Sequence, residues 1–396
     1  MRPLKVLLAW ELGGSRGHLY RLFEIGRRLA AAGHHPVYAL QRLAPDALQF
    51  PVESEIWQAP VSPRLLGHTS RGDVRPPATL GDILARLGFG DAGIVAGLLR
   101  AWDHLLGAIR PDIIVVDYAP MVLVAARGRI PTLACGNGFD APPLVDRFPS
   151  LNGKPAAYDE AETLAAFNAG SSAAGRAPLS TLSAIFAADR QHVGAFAELD
   201  PYDGHRTLPL LAPTVSAPRP EPTGAQGDEV FAYVHETVPL NAPLWEGLRA
   251  SGLPVRTYVP ALTPAFAAGL RQKGFAVEQQ PQRFADIARR SRLILSHGSH
   301  GFVSSGLLAG IPQVTCFMDL EKMQTGVRTT ALGVGGHVAL GELQPEPFAR
   351  SLVQAYESGE IARRALALAP SFHARMCRNV EDEAVGTVEE LASSGA

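Results

Sequence analysis

The 396 residues include only three cysteines and four tryptophans, and Asp, Glu, Lys and Arg make up 19%. Each scarcity excludes something. Cys135, Cys316 and Cys377 are odd in number and far apart, so they form no disulfide framework and no paired thiolate site. They read as reduced, buried small hydrophobes, which implies a cytoplasmic chain. The formal net charge is −2. That removes the basic footprint of a nucleic-acid or anionic-membrane binder. No segment reaches the roughly 18 unbroken apolar residues of a membrane span. The opening MRPLKVLLAW has no small-residue cleavage site after its short apolar run, so it reads as a strand rather than a signal peptide. Phosphate-loop and zinc-helix motifs are missing, and HGSHG does not have the Gly-x-Ser-x-Gly spacing of a hydrolase elbow. No Asp-x-Asp pair stands at a strand end, so neither a cofactor nor a metal bridging a diphosphate is expected.

What is present is an alternation of strands and helices. LKVLLAW is a near-continuous apolar run, as in a strand buried on both faces. After a glycine-rich turn, Leu19, Leu22, Phe23, Gly26, Leu29 and Ala30 recur at helical spacing. Gly33 stops that helix and HHPVYAL forms a second strand. This βαβ opening predicts a parallel sheet. Residues from Pro45 to Thr79 are aperiodic and read as long loops. A helix, the buried strand PDIIVVD and the strand IPTLACG follow, then helical segments near Tyr158–Ala169 and Leu179–Leu199. The proline-rich stretch LPLLAPTVSAPRPEPTGAQGDE has no period and reads as a linker. Beyond it the alternation restarts, and the tail from Glu360 to Ser393 is helical. A length of 396 residues favours two domains, because single cores rarely grow past roughly 250–300 residues. The division expected is residues 1–215, a linker at 216–228, a second unit at 229–370, and a closing helix at 371–396.

Open α/β sheets bind ligands beyond the carboxyl ends of their strands. Those ends carry GGSRGH (Gly13–His18), Asp117, CGNGF (Cys135–Phe139), HETVP (His235–Pro239), SHGSHG (Ser296–Gly301) and FMDLEK (Phe317–Lys322). In SHGSHG a strand end of small residues runs straight into a helix. Free N–H groups and the helix dipole there suit a phosphate. His297, Ser299 and His300 add side-chain donors. His297 and His300 could also ligate a metal, but no third ligand is in reach. The acidic run Glu381–Glu383 reads as a solvated helix face, and His34 and His35 as structural.

HGSHGFVSSGLLAGIP followed by DLEKMQTGVRTTALGVG resembles the donor-binding signature of family 1 glycosyltransferases, the plant, antibiotic-modifying and macrolide-type enzymes. His297, Gly301, Gly310, Pro312 and Arg328 fall on its spacing, and Glu321 stands where Asp is usual. Ser299 replaces a glycine, Phe302 a phosphate-contacting Thr or Ser, Lys322 a sugar-contacting Gln, and Thr325 an Asn. GGSRGH also looks like the glycine loop of the enzyme that adds N-acetylglucosamine to the peptidoglycan lipid precursor. The resemblance implies the GT-B fold: two Rossmann-like α/β domains facing each other across a cleft, with the last helix returning to the first. It implies an N-terminal acceptor domain and a C-terminal domain for a nucleotide diphosphate sugar, of UDP or dTDP type. Donor-binding residues are then Gly14, Ser15, Thr237, His297, Gly298, Ser299, His300, Gly301, Glu321 and Lys322. Gly13, Gly14 and Ser15 let the first turn approach substrate closely.

Taken alone, His18 reads as a capping or packing histidine. The resemblance makes it the general base, with Asp117 as its partner. The chemistry fits, because an acceptor hydroxyl attacks well only if its proton is removed as the bond forms. An imidazole near pKa 6.5 does that at neutral pH when a carboxylate fixes its tautomer. The expected function is metal-independent, inverting transfer of a sugar to a hydroxyl of a small-molecule or lipid-like acceptor. Two alternatives keep the fold: a sugar-nucleotide epimerase, which needs further acid/base carboxylates, and a non-catalytic sugar-nucleotide-binding partner, favoured by Phe302 and Lys322.

Overall fold

The structure, a computed structural model, describes residues 2–14, 16–43, 54–66 and 75–394. Ser15 and much of the loop expected over Pro45–Thr79 lie outside the described residues. The chain divides into two compact units. One comprises residues 1–195, 200–214 and 378–396, the other residues 196–199 and 215–377. Residues 371–377 stay with the second unit, and the return to the first begins at Arg378.

Each unit is built on a six-stranded parallel sheet. The first holds β1 (Lys5–Trp10), β2 (His35–Leu40), β3 (Glu55–Gln58), β4 (Ile113–Asp117), β5 (Thr132–Gly136) and β6 (Arg190–Val193). Its order is β3-β2-β1-β4-β5-β6. The second holds β7 (Glu229–Tyr233), β8 (Val255–Tyr258), β9 (Ala276–Glu278), β10 (Ser291–Ser296), β11 (Gln313–Phe317) and β12 (Gly335–Ala339). Its order is β12-β11-β10-β7-β8-β9. Counted from its own first strand, the second order is the first read from the opposite edge. Both are the doubly wound Rossmann order, whose winding reverses between the first and fourth strands. The switch points are therefore β1/β4 and β7/β10. Register sets Trp10 beside Asp117 in one sheet and Tyr233 beside Ser296 in the other.

The elements follow from the residues. Five of the six side chains of β1 are buried, as expected of a parallel strand covered on both faces. The helix Arg16–Ala31 buries Leu19, Leu22, Ile25 and Leu29 on one face. Gly33 follows it at φ +87°, a conformation that costs glycine nothing. The terminal helix Val380–Ser394 sets Val380, Ala384, Val388 and Leu391 into the same core as Leu22 and Ile25. The second unit's main core gathers Val230, Ala232, Trp245, Leu295 and Phe348.

Four expectations need correction. Residues 179–199 are not a helix. They form two short 3₁₀ turns flanking β6, which pairs with β5 from Leu133–Arg190 to Gly136–Val193. The aperiodic Pro45–Thr79 region supplies the edge strand β3, whose mostly exposed side chains left no apolar alternation to read. Cys377 is exposed, in the connection between the last two helices, whereas Cys135 and Cys316 are buried. Glu381 is buried beside Val380 rather than solvated. The helix Ala92–Ile109 is long and apolar enough, by length and composition, to cross a membrane. Its apolar face, including Val95, Leu99, Trp102 and Leu106, is buried, and Asp103 on it pairs with Arg129 and Arg176.

Candidate active site

His18 lies in the first turn of the helix that follows β1, and Asp117 is the last residue of β4, so both stand at the first sheet's switch point. Nδ1 of His18 is 2.8 Å from Oδ1 of Asp117. The imidazole is 4% exposed and the carboxylate fully buried. The rings of Trp10 and Tyr118 lie nearly parallel to the imidazole at 5.7 and 6.0 Å. With Nδ1 facing Asp117, Nε2 faces Gly13. An added Cβ on Gly13 would stand 2.3 Å from Nε2, and the backbone there has φ +81°. Glycine is thus required by the approach of the imidazole as well as by the turn. That turn is held by Gln41, which donates to the carbonyls of Glu11 (2.8 Å) and Gly13 (2.7 Å), and by Arg42, which donates to that of Gly14 (2.7 Å).

Three residues that sequence reasoning passed over complete this cluster. Arg21, one turn along from His18, donates through Nη1 to Oδ2 of Asp117. Its Nε donates to Thr214, whose hydroxyl donates to Glu381. Asp140, on the loop after β5, brings Oδ2 within 3.7 Å of His18 Nδ1. Burial alone would depress the His18 pKa and Arg21 lowers it further. The charges of Asp140 and Asp117 and the hydrogen bond to Asp117 outweigh both, so it titrates above its ordinary value. Ligand atoms of His18, Asp117 and Asp140 lie within 4.8 Å of one another, a spacing that could suit a cation. The Arg21 guanidinium already holds Asp117, so the cluster carries its own fixed positive charge.

A fourth residue, Glu11, fastens the two strand ends together. Its buried carboxylate accepts from the backbone N–H of Met121 (2.9 Å) and Val122 (2.7 Å), in the turn after Asp117. Burial, opposed by those two bonds, pushes its pKa up to about 8.

In the second unit the predicted donor residues gather beyond β7, β10 and β11. Gly298 has φ +89°, and a Cβ there would stand 2.6 Å from Thr315. Ser296 Oγ accepts from its N–H at 3.1 Å. Ser299 is the N-cap of the helix His300–Ala309, and its side chain makes no capping bond. The first N–H groups of His300, Gly301 and Phe302 lie in the turn that no i−4 carbonyl serves. His297 is buried against Tyr233 and His235, with ring centroids at 4.8 and 5.5 Å. Burial first, then Lys322 and His235, lower its pKa to about 3, so it is a neutral hydrogen-bonding group at any working pH. Thr237 is exposed and bonded to His235 Nδ1 at 2.9 Å. Glu321 and Lys322 begin the helix after β11, capped by Asp319, and the Lys322 ammonium donates to the Glu321 carboxylate. Phe302 turns inward, its ring 5.1 Å from Tyr233 and 5.2 Å from Phe284. Gly14 stands in the first unit, apart from the other donor candidates in the chain's division. A cavity of about 460 Å³ between β12 and the helix Pro345–Glu357 is lined by residues such as His337 and Phe348, none of them from the titratable cluster.

No protein-family model matches the chain, and no curated protein matches it. Among solved structures it is similar along its whole length to several glycosyltransferases. The calicheamicin glycosyltransferase CalG4 is 19% identical with a TM-score of 0.67, covering 99% of each chain. SsfS6 of Streptomyces sp. SF2575, complexed with thymidine diphosphate, is 15% identical with a TM-score of 0.64, covering 98% of this chain and 99% of that one. Os79 from O. sativa, in complex with UDP, is 16% identical with a TM-score of 0.60, covering 98% and 100%. The chain has the fold of these enzymes, GT-B, with two Rossmann-like units and a terminal helix that belongs to the first.

Proposed function

We propose that the protein is a metal-independent, inverting glycosyltransferase that moves a sugar from a nucleotide diphosphate sugar to a hydroxyl of a small-molecule or lipid-like acceptor. The observation that carries this reading is the buried 2.8 Å His18–Asp117 pair at the switch point of a fold that glycosyltransferases share over their full length. Asp117 holds Nδ1 as the N–H, which leaves Nε2 with the lone pair. As the acceptor oxygen bonds to the anomeric carbon, its proton passes to Nε2. The bond from the anomeric carbon to the phosphate oxygen breaks, and its electron pair leaves with the diphosphate. The turn Ser296–Gly301, the N–H groups that open the next helix, and Thr237 receive that charge. Phe302 brings no hydroxyl to this turn, so backbone N–H groups carry more of the task than in the pattern the sequence resembles.

A binding partner without activity would have no need of a buried base held by a carboxylate. The test is a thermal-shift panel of UDP- and dTDP-sugars, followed by transfer assays with the donor that binds. A ligand at 100 times its Kd should stabilise the protein by roughly 2.7 kcal/mol. If no sugar nucleotide raises the Tm, the reading is wrong.

A further inference from the structure

Resting on the reading of His18 as base, we infer that Asp140 is a second positioning carboxylate, the one that balances the imidazolium's charge while Asp117 fixes the ring's orientation. Both oxygens of Asp117 are engaged, Oδ1 by His18 and Oδ2 by the Arg21 guanidinium. Its charge is therefore largely matched before any proton arrives. Asp140 approaches the same nitrogen at 3.7 Å, beyond hydrogen-bond length but well inside the range where an opposite charge acts. It is 1% exposed, so water screens the interaction little.

Charge arithmetic supports the division. The charges that act on a neutral His18 are one cation, Arg21, and two anions, Asp117 and Asp140. Arg21 is shared, because the buried carboxylate of Glu381 acts on it as well as the two aspartates. The cluster is therefore anionic before His18 takes a proton, and Asp140 is one of the two anions close enough to His18 to hold that proton there. The other groups around the imidazole do not replace it. Cys135 on β5 is held as a neutral thiol by burial. Trp10, Tyr118 and the Gly13 turn offer rings and backbone. Glu381 is bonded to Thr214, and its charge acts on Arg21 and Cys135 rather than on the imidazole.

The loop that carries Asp140 is built to hold it. Asn137 Oδ1 accepts from the N–H groups of Phe139 (2.7 Å) and Asp140 (3.1 Å). From the other side, buried Arg206 donates to the carbonyls of Gly138 (2.8 Å) and Ala141 (2.9 Å) while paired with Asp200 at 2.6 Å. Tyr202, beside this pair, stays a neutral phenol because burial raises its pKa. A Cβ on Gly138 would stand 2.6 Å from Asp200, so the loop closes tightly on its clamp.

The experiment follows the His18 imidazole of the full-length protein by NMR with labelled histidine, alongside the pH profile of transfer. Asp140→Asn should lower the His18 titration midpoint by about 1–3 pH units, the effect of one opposite charge at this range. The acid limb of the rate should move with it, while donor Kd stays unchanged. Asp140→Glu should restore most of the shift. Arg21→Gln, which removes the cation instead, should move the midpoint the opposite way. It also gives an answer if Asp140→Asn does not fold. A midpoint that stays within about 0.3 unit in a folded Asp140→Asn protein, or that falls in Arg21→Gln, overturns the inference. His18→Ala with wild-type transfer would overturn the base assignment instead, and the NMR midpoints would still stand as measured.

Discussion

Replacing Gly13 by alanine tests the geometry of the proposed base most directly. The added Cβ would stand 2.3 Å from Nε2 of His18, about 1 Å inside ordinary van der Waals contact. The backbone at φ +81° adds a second cost. An L-residue held in the left-handed region costs about 1–2 kcal/mol. Overpacking a filled site costs about 1–3 kcal/mol. Together the substitution should destabilise the protein by roughly 2–5 kcal/mol if nothing moves. The cheapest escape is for the imidazole to swing away, which breaks its 2.8 Å bond to Asp117. A displacement of about 1 Å at a reacting group costs on the order of 10²-fold in rate. So transfer should fall about 100-fold, the Tm should drop, or both. Gly14→Ala is the internal control, since its Cβ would meet no heavy atom within 4 Å. Its Tm should stay at the wild-type value, and any change in its transfer would then report how closely substrate approaches that turn. Thermal melts and initial rates on the two variants suffice. Wild-type Tm and wild-type rate in Gly13→Ala would refute both the close approach of the imidazole and the role built on it.

Three further outcomes are expected. His18→Ala should lower turnover by about 10²–10⁴-fold, the usual worth of a general base, and should abolish the acid limb of the pH–rate profile while leaving the Kd for the nucleoside diphosphate unchanged; a retained limb would assign it to another group. Glu321→Ala should weaken a sugar nucleotide more than the bare nucleoside diphosphate. It should also cost about 3 kcal/mol of stability, because the Lys322 ammonium, 9% exposed, loses its carboxylate; equal losses for both ligands would place Glu321 outside the sugar pocket. Glu11, with its pKa raised from 4.5 to about 8, binds more protons folded than unfolded. Its contribution is complete below the unfolded value and is lost as pH rises through about 8, a span on the order of 5 kcal/mol at most. Glu11→Gln should flatten this fall in Tm between pH 5 and 8, and an unchanged slope would mean that the carboxylate stays ionised on its two N–H donors.

Much of this was legible in the sequence because parallel strands buried on both faces leave unmistakable apolar runs. Every strand that lines a switch point is of that kind: LKVLLAW, IIVVD, VFAY and RLILS. The edge strands β3, β9 and β12 were not legible, since few of their side chains are buried and nothing in them alternates. His18 opens a readable helix and Asp117 ends a readable strand, and the resemblance pairs them. Asp140 could not be read, although it stands one residue past the glycine-rich turn CGNGF. Its meaning depends on β5 lying next to β4, a neighbour relation that no local pattern carries. Arg21 was hidden by its position on a helix with other arginines, and its guanidinium reaches Asp117. Glu381 was hidden by its acidic neighbours, although helical spacing puts it beside buried Val380 and Ala384.

The two histidines at the two switch points show why topology alone could not have assigned their roles. Each follows a central strand of a sheet with the same winding, and each is nearly buried. Burial alone would drive both below their ordinary pKa. At His18 two carboxylates outweigh it and the imidazole is poised to accept a proton. At His297 the charge of the Lys322 ammonium and a neighbouring imidazole add to burial, and the opposing effect of Glu321 is smaller. A group held neutral in this way can hydrogen-bond to a phosphate or sugar oxygen but cannot take a proton from a hydroxyl. On the proposed reading, the chain separates the two tasks of the reaction by the sign of the charge beside each histidine. Proton removal would belong where anions exceed cations. On the same reading, binding of the charged leaving group belongs at the N-terminus of the helix His300–Ala309, where the local carboxylate, Glu321, is already paired with Lys322. If the proposed roles hold, carboxylates in the second unit would have set like charge against the diphosphate at its turn, and His18 without them would have been a weaker base.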